Sequence, residues 1–291
     1  MKLLLKFHIA FVNGLRRSLI SNIPSFSLNT KFIENETSYN NDILNLRFAM
    51  IPVKKHLSCR LEKTNETARN IIITSNDFEN EHIMKDIFLF ELKPNESIHI
   101  ECETERGYGF QDARWQVIQT PMMKLIQEVV IKKHDIEKIK TIAPELITDG
   151  KLDKKKCLMD RTAVERLNQI DPIVFYKNSG EYELYFESDY YSEDYCLKQA
   201  LSHLKQLFEK LEYEVIPNQN LTILKFHEKS FTFGNIIQYY LQKVCNFATL
   251  NKEHYLDNFV VLKFDEPISI LEETRVKILE DLNHFEQFCI L

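Results

Sequence analysis

The side chains best equipped for chemistry in this chain are arginines: the adjacent pair Arg16 and Arg17, then Arg47, Arg106 and Arg114. A guanidinium is planar, always charged and forked. It suits bidentate, partly buried contacts to carboxylates and carbonyls of a partner protein. Asn13 lies one helical turn before Arg16. The other candidates are weaker. Lys154, Lys155 and Lys156 could touch phosphate, but without a basic surround such a run is ordinarily a solvated turn. His99 and His203 fall in an expected strand and helix, where a histidine is ordinarily structural. The cysteines at 59, 102, 157, 196, 245 and 289 show neither CxxC spacing nor a small-domain disulfide framework. They read as thiols kept in a reducing compartment. Gly107 and Gly109 make a GxG pair without the rest of a dinucleotide fingerprint, and read as a turn needing positive φ. There is no acidic metal loop, no defensible Ser/His/Asp order and no phosphate-cradling loop. The expectation is no catalytic residue, no cofactor and no metal. The chemistry on offer is docking.

Composition agrees. The chain has 291 residues, 44% hydrophobic and 27% charged, enough for two or three small domains. Six glycines and eight prolines leave little room for long flexible linkers. A net charge of −6 argues against non-specific DNA binding as the main task, because phosphate neutralisation wants a basic excess. The opening MKLLLKFHIAF is interrupted by Lys6 and His8 and reads as a strand entering a helix, not an export signal. No apolar run is long enough to span a membrane. A cytoplasmic protein is expected.

The elements that must carry these arginines follow from periodicity. Phe11, Val12, Leu15 and Leu19 share one face of a helix, Arg16 and Arg17 point elsewhere, and Pro24 stops it. Asp42 is placed to cap a short helix with Ile43, Leu44 and Leu46, closed by Pro52. Arg47 on that helix should snorkel, or pair with a carboxylate or with backbone carbonyls. From Leu57 to about Gln119 the pattern is strand-like, with a turn at Pro94–Asn95. Residues 120–170 are lysine-rich and read as a solvated excursion that orders in a larger assembly. Then come a strand at Glu181–Ser188 and a helix at Glu193–Leu211 carrying Leu201 and Leu204. A strand at LTILKFHEKS leads to a helix with Thr232 as N-cap and Ile236, Ile237, Tyr240, Leu241 and Val244 as its stripe. The strand NFVVLKFDEP precedes a last helix with Val276, Leu279, Leu282 and Phe285 inward.

The two ends echo each other. A strand enters a helix bearing Asn13-Gly14 at the front, and another enters a helix bearing Gly234-Asn235 at the back. Each is later followed by a strand and a long leucine-rich helix. The reading is an α+β chain of two related units, with a strand-rich insertion in the first. Neither unit is large enough to bury its own helices. They should pair in cis as a pseudo-twofold dimer, helix layer on helix layer. The expected division is 1–54 with 171–213 as the first unit, 55–170 as the insertion and 214–291 as the second unit. Phe11, Leu15, Leu19, Leu201, Leu204, Gly234, Asn235, Ile237, Leu241, Leu279 and Leu282 should form the intrachain dimer face.

These motifs resemble the assembly platform of multisubunit RNA polymerases. FVNGLRRSLISNIPSFSL followed by NDILNLRFAMIPV is similar to the signature of the bacterial alpha subunit, the archaeal D subunit and the third-largest subunit of eukaryotic RNA polymerase II. Asn13, Leu15, Arg16, Arg17, Pro24, Arg47, Ile51 and Pro52 fit it. ERGYGFQDARWQVI resembles the family's glycine loop through Gly107, Gly109, Ala113, Arg114 and Trp115. FHEKSFTFGNIIQYYLQK resembles the archaeal L or eukaryotic eleventh subunit through Thr232, Gly234 and Asn235. There are departures. Gly14 replaces the usual alanine, Asn45 stands where the family has histidine, and Ser230 and Phe231 leave a second histidine missing. Only Cys157 remains where some relatives bind zinc or an iron–sulfur centre. The resemblance implies a non-catalytic scaffold that docks the second-largest and then the largest polymerase subunit, with room for small platform-binding subunits. Nucleic acid is met only through the complex. Asn13, Arg16, Arg17, Arg47, Arg106, Gly107, Gly109, Arg114 and Trp115 would form the subunit interface. Fusion of both partners in one chain resembles large cytoplasmic DNA viruses, which implies host cytoplasm or virion. The alternative reading of the residues is a stand-alone nucleic-acid-binding or scaffold protein.

Overall fold

The structure is a computed structural model that describes residues 1–118, 120–132, 135–188, 190–227, 231–252, 254 and 256–289, with the side chains of His227, Phe288 and Cys289 left aside. Ser230 lies outside the described residues. The chain divides into two compact units. One comprises Met1, Ile9–Met122 and Tyr185–Leu291; the other comprises Lys2–His8 and Met123–Leu184.

The larger unit begins with helix α1 (Ile9–Ser21), and Pro24 opens the next strand, β2 (Pro24–Asn35), so the proline does end the helix. Helix α2 (Asn41–Ala49) is capped by Asn40, whose side chain accepts from Asp42 N–H. The cap is thus one residue pair earlier than Asp42, which sits in the first turn where its charge suits the helix dipole. Strands β3 (Ser58–Thr64), β4 (Ile71–Thr74), β5 (Phe88–Leu92) and β6 (Ser97–Tyr108) follow. They occupy the stretches whose alternation and β-branching predict strands. Asn95 takes positive φ in the turn before β6. The sheet order is β2-β6-β3, with β4-β5 as a separate hairpin. Phe48, Phe78 and Phe90 meet edge to face in the core beneath them.

The same unit holds α6 (Glu193–Glu209), β11 (Glu214–Ile216), β12 (Thr222–His227), α7 (Phe231–Leu241), β13 (Ala248–Asn251), β14 (Phe259–Phe264) and α8 (Ser269–Cys289). The sheet order here is β11-β12-β14-β13, antiparallel throughout. Helix α1 packs on α6 and α7, and α8 packs on the same two. Phe11, Leu15, Leu19, Leu201, Leu204, Ile237, Leu241, Leu282 and Phe285 are all buried. Each such side chain contributes about 1.5–3 kcal/mol when fully removed from water. Phe11 of α1 meets Phe285 of α8 edge to face at 5.8 Å. Phe208 of α6 stacks on Phe233 of α7, which in turn meets Phe226 of the sheet. Polar clasps tie the same helices: Lys205 pairs with Glu286, and the Tyr240 hydroxyl donates to Asp281.

Several expectations need correcting here. Thr232 is inside α7 rather than capping it, and its buried hydroxyl has no hydrogen-bond partner among the described residues. Asn235 is exposed, Val244 lies past the helix and is exposed, and Leu279 is half-buried. Val276 points outward at 49% exposure, while Leu271, Thr274 and Ile278 take the inner positions.

The smaller unit overturns the solvated reading of residues 120–170. Strands β1 (Lys2–Leu5), β7 (Met122–Ile131) and β10 (Val174–Tyr185) form a sheet in the order β1-β10-β7. Helices α3 (Ile136–Ile142), α4 (Lys154–Met159) and α5 (Arg161–Ile170) and the hairpin of β8 (Ile147–Thr148) with β9 (Lys151–Leu152) complete it. Ile139, Leu146, Cys157, Val164 and Leu167 close a core of their own. Each helix starts on an aspartate cap, Asp135, Asp153 or Asp160. Strand β10 starts earlier and ends earlier than Glu181–Ser188.

Candidate subunit interface

The arginine-bearing helix presents two different groups. Arg16 donates from Nε and Nη2 to the Asn13 side-chain oxygen, at 3.1 and 3.0 Å, one turn back along α1. Its remaining terminal nitrogen is uncommitted among the described residues, and the guanidinium is held in one orientation. Arg17 is exposed and makes no side-chain hydrogen bond or ion pair among the described residues. The opposite face of α1 is buried, so this side is the one left for a partner.

The loop 106–115 is clamped against the end of that helix. Phe110 N–H donates to Ser21 O at 3.1 Å, and Ser25 Oγ donates to Trp115 O at 2.6 Å. Gly107 is paired with Ser25 inside the β2–β6 ladder, not in a turn. Neither Gly107 nor Gly109 has positive φ. Their reason is close approach. A Cβ on Gly107 would stand 2.3 Å from the Trp115 ring, and one on Gly109 would stand 2.6 Å from Ile20 O. Trp115 is 6% exposed and donates from its indole N–H to Glu105 O. It is a buried support, not a surface contact. Its ring carries the Arg114 guanidinium at 4.0 Å, and Arg114 also reaches Glu105 at 3.3 Å. The Arg114 Nε is buried without a partner among the described residues.

Arg47 does bond a backbone carbonyl: its Nη1 donates to Leu89 O. It remains exposed, and three apolar side chains beside it are exposed too. Ile43, Leu46 and Met50 are 51%, 66% and 51% exposed. With Arg47 they stand at positions i, i+3, i+4 and i+7, one ridge along α2. Only Leu44, Phe48 and Ala49 face inward. Met50 also lines a groove of about 420 Å³ whose wall includes Phe26, Val53, Arg114, Tyr190 and Tyr191. The tyrosine hydroxyls donate to His82 O and Val53 O. Burial pushes the Tyr191 phenol up to about 12, while the Arg106 guanidinium pulls the other way. Arg106 itself is exposed, on β6 opposite Phe26.

Of the expected interface residues Arg114 lines this groove, with Met50 at the end of α2 beside it, while Arg47, Arg106, Gly107, Gly109 and Trp115 lie outside it. Asn13, Arg16 and Arg17 do not line it. The exposed ridge is the feature that sequence reasoning missed. Its signal was a short helix apolar on all sides. At the α1–α7 crossing, a Cβ on Gly14 would come within 2.8 Å of the Ile236 δ-methyl. Gly234 lies against Leu250 in the same way. Among the described residues no group of three His, Cys, Asp or Glu side chains could hold a metal ion. No described helix is long and apolar enough to cross a membrane.

Comparison with known proteins gives relatives of one name. DNA-directed RNA polymerase subunit Rpo3 of Methanocaldococcus jannaschii is 32% identical over 123 residues, covering 38% of this chain and 62% of that protein. Rpo3 of Halobacterium salinarum is 28% identical over 117 residues, covering 37% and 47%. Rpo3 of Pyrobaculum arsenaticum is 27% identical over 235 residues, covering 71% and 88%. The chain spans about half to three fifths of the first two relatives' length. No family model matches it.

Proposed function

We propose that this chain is a non-catalytic assembly subunit of a multisubunit DNA-directed RNA polymerase. It works in transcription as the platform on which the second-largest and then the largest subunit dock. The observation that carries this is the packing of α1 and α6 on α7 and α8, which buries the dimerisation stripe inside one polypeptide and leaves the arginine side of α1 outside. Similarity to Rpo3 proteins supports the same reading. So does the repeated order of strand, helix, strand and helix: β1–α1 with β10–α6, and β12–α7 with β14–α8. In this reading 1–54 with 171–213 plays the third-largest subunit, 214–291 plays the eleventh, and 55–170 is inserted. The pair is closed in cis as a pseudo-twofold dimer, a fusion of the kind found in large cytoplasmic DNA viruses, and it works in the host cytoplasm.

The docking surface comprises Asn13, Arg16 and Arg17 on α1, and Arg47 with Ile43, Leu46 and Met50 on α2. Arg106 near the end of β6 and Arg114 on the segment after it adjoin them, with Gly107, Gly109 and Trp115 as support. Losing a desolvated interface arginine typically costs about 2–5 kcal/mol of binding. Co-expression with the second-largest subunit of the same genome tests the proposal. The chain should co-purify with that subunit, and Arg16→Ala with Arg17→Ala should leave the fold intact and reduce capture. Undiminished capture by the double variant removes those arginines from the interface. No capture by the unaltered chain removes the proposal.

A further inference from the structure

We infer that Cys59 and Cys102 form a redox-sensitive thiol pair that closes to a cross-strand disulfide when it meets a small disulfide oxidant. The two residues stand directly opposite each other on antiparallel β3 and β6. Side chains of opposed residues share one face of a sheet. Both belong to the packed inner face, Cys102 buried in the core cluster and Cys59 half-buried against it. Thr104 N–H donates to Leu57 O, and Asn65 N–H to Glu96 O. The pattern alternates along an antiparallel ladder, so Cys59 and Cys102 form a hydrogen-bonded pair. Opposed Cα atoms in such a pair are about 5.5 Å apart, within the Cα range that a disulfide bridges. Their Cβ atoms, at the wide end of about 4.5–5.5 Å, must draw together by roughly 1 Å, a movement that the edge position of β3 allows. Both cysteines are free thiols.

The two sulfurs differ in access. Strand β3 is the edge of its sheet, and Cys59 lines an open groove of about 610 Å³ with Ser58, Arg60, Glu62, Lys63 and Asp77. Cys102 lies behind it, 3.7 Å from the Thr30 hydroxyl. A hydrogen bond shared with Cys59 holds the Cys102 thiol below the usual thiol range despite its burial. The same hydrogen bond, with burial, pushes the Cys59 thiol up, so the anion rests on Cys102 and Cys59 attacks in the minor arrangement in which the shared proton has passed to Cys102. That leaves a thiolate on the accessible sulfur.

The reaction with a disulfide RSSR then balances as thiol–disulfide exchange. Cys59 thiolate attacks one sulfur of RSSR, forming a mixed disulfide and expelling RS⁻. RS⁻ takes the proton of Cys102. Cys102 thiolate attacks Cys59 Sγ, closing the protein disulfide and expelling a second RS⁻, which takes up the proton first released. Two cysteine thiols are oxidised and one RSSR is reduced to two RSH. The new bond pins the edge strand to β6 just before β6 runs into Arg106.

The test is to incubate the full chain with glutathione disulfide and map it under non-reducing conditions. The expected product is a peptide linked through Cys59 and Cys102, with intact mass lower by two hydrogen atoms and no glutathione retained. Cys102→Ser should instead hold glutathione on Cys59, and Cys59→Ser should take up none at Cys102. Accumulation of glutathione on Cys59 of the unaltered chain without the link overturns the inference. So does failure of either cysteine to react in the unaltered chain.

Discussion

Helices α1 and α2 are both rich in apolar residues, yet only α1 buries its whole stripe, with Ile9 at its first position left exposed. On α1, Phe11, Val12, Leu15 and Leu19 are buried against α6, α7 and α8, and the charged side is cleanly separate. On α2, Leu44 and Phe48 go inward while Ile43, Leu46 and Met50 stay in water beside Arg47. The chain supplies the missing half of α1's interface itself. Among the described residues it leaves α2's outer ridge exposed. The proposed scaffold would have this character, one interface closed in cis and another left open for a partner.

The contrast can be broken first by truncation on the closed side. Phe285→Ala removes a ring buried against Phe11 and should cost about 3–5 kcal/mol of stability, read by denaturant unfolding. Leu46→Ser on the open side should change stability by no more than about 0.5 kcal/mol, yet reduce capture of the second-largest subunit. A large stability loss at Leu46 would mean that the chain itself covers the ridge. The clamp between α1 and the 106–115 loop should respond next. Gly107→Ala forces the Trp115 ring to move and should cost about 1–3 kcal/mol. Trp115 is the single tryptophan, so its fluorescence should shift red as the ring meets water. The mildest change should be Gly14→Ala. The new methyl crowds the far end of Ile236 and meets the Thr232 methyl at ordinary contact distance, and the helix gains about 1 kcal/mol of propensity, so unfolding should move little.

How far the sequence carried depended on whether a signal was local. Strands β3 to β6 were legible because alternation and β-branching are written residue by residue, and α1 because its stripe and its proline are local too. The role of Gly107 was not legible. Its constraint comes from Trp115 and from pairing with Ser25, neither of which spacing reveals. Residues 120–170 were misread because lysines hide a thin core, although the aspartate caps at 135, 153 and 160 were there to be seen. Ala163, Val164 and Leu167 on α5 follow helical spacing as well. On α2 the sequence reading placed Ile43, Leu44 and Leu46 on a helix without saying which of them turn inward. A pattern apolar on both sides does not say which side has a partner.

The central claim is that the C-terminal third closes over α1 and α6 and cannot stand alone. Expressing residues 1–213 and 214–291 as two separate chains in one cell tests it most directly. The account predicts that the two pieces co-purify at one to one and that 214–291 is insoluble or unfolded when made alone. A soluble, cooperatively folding 214–291 that leaves the larger piece unbound would contradict it.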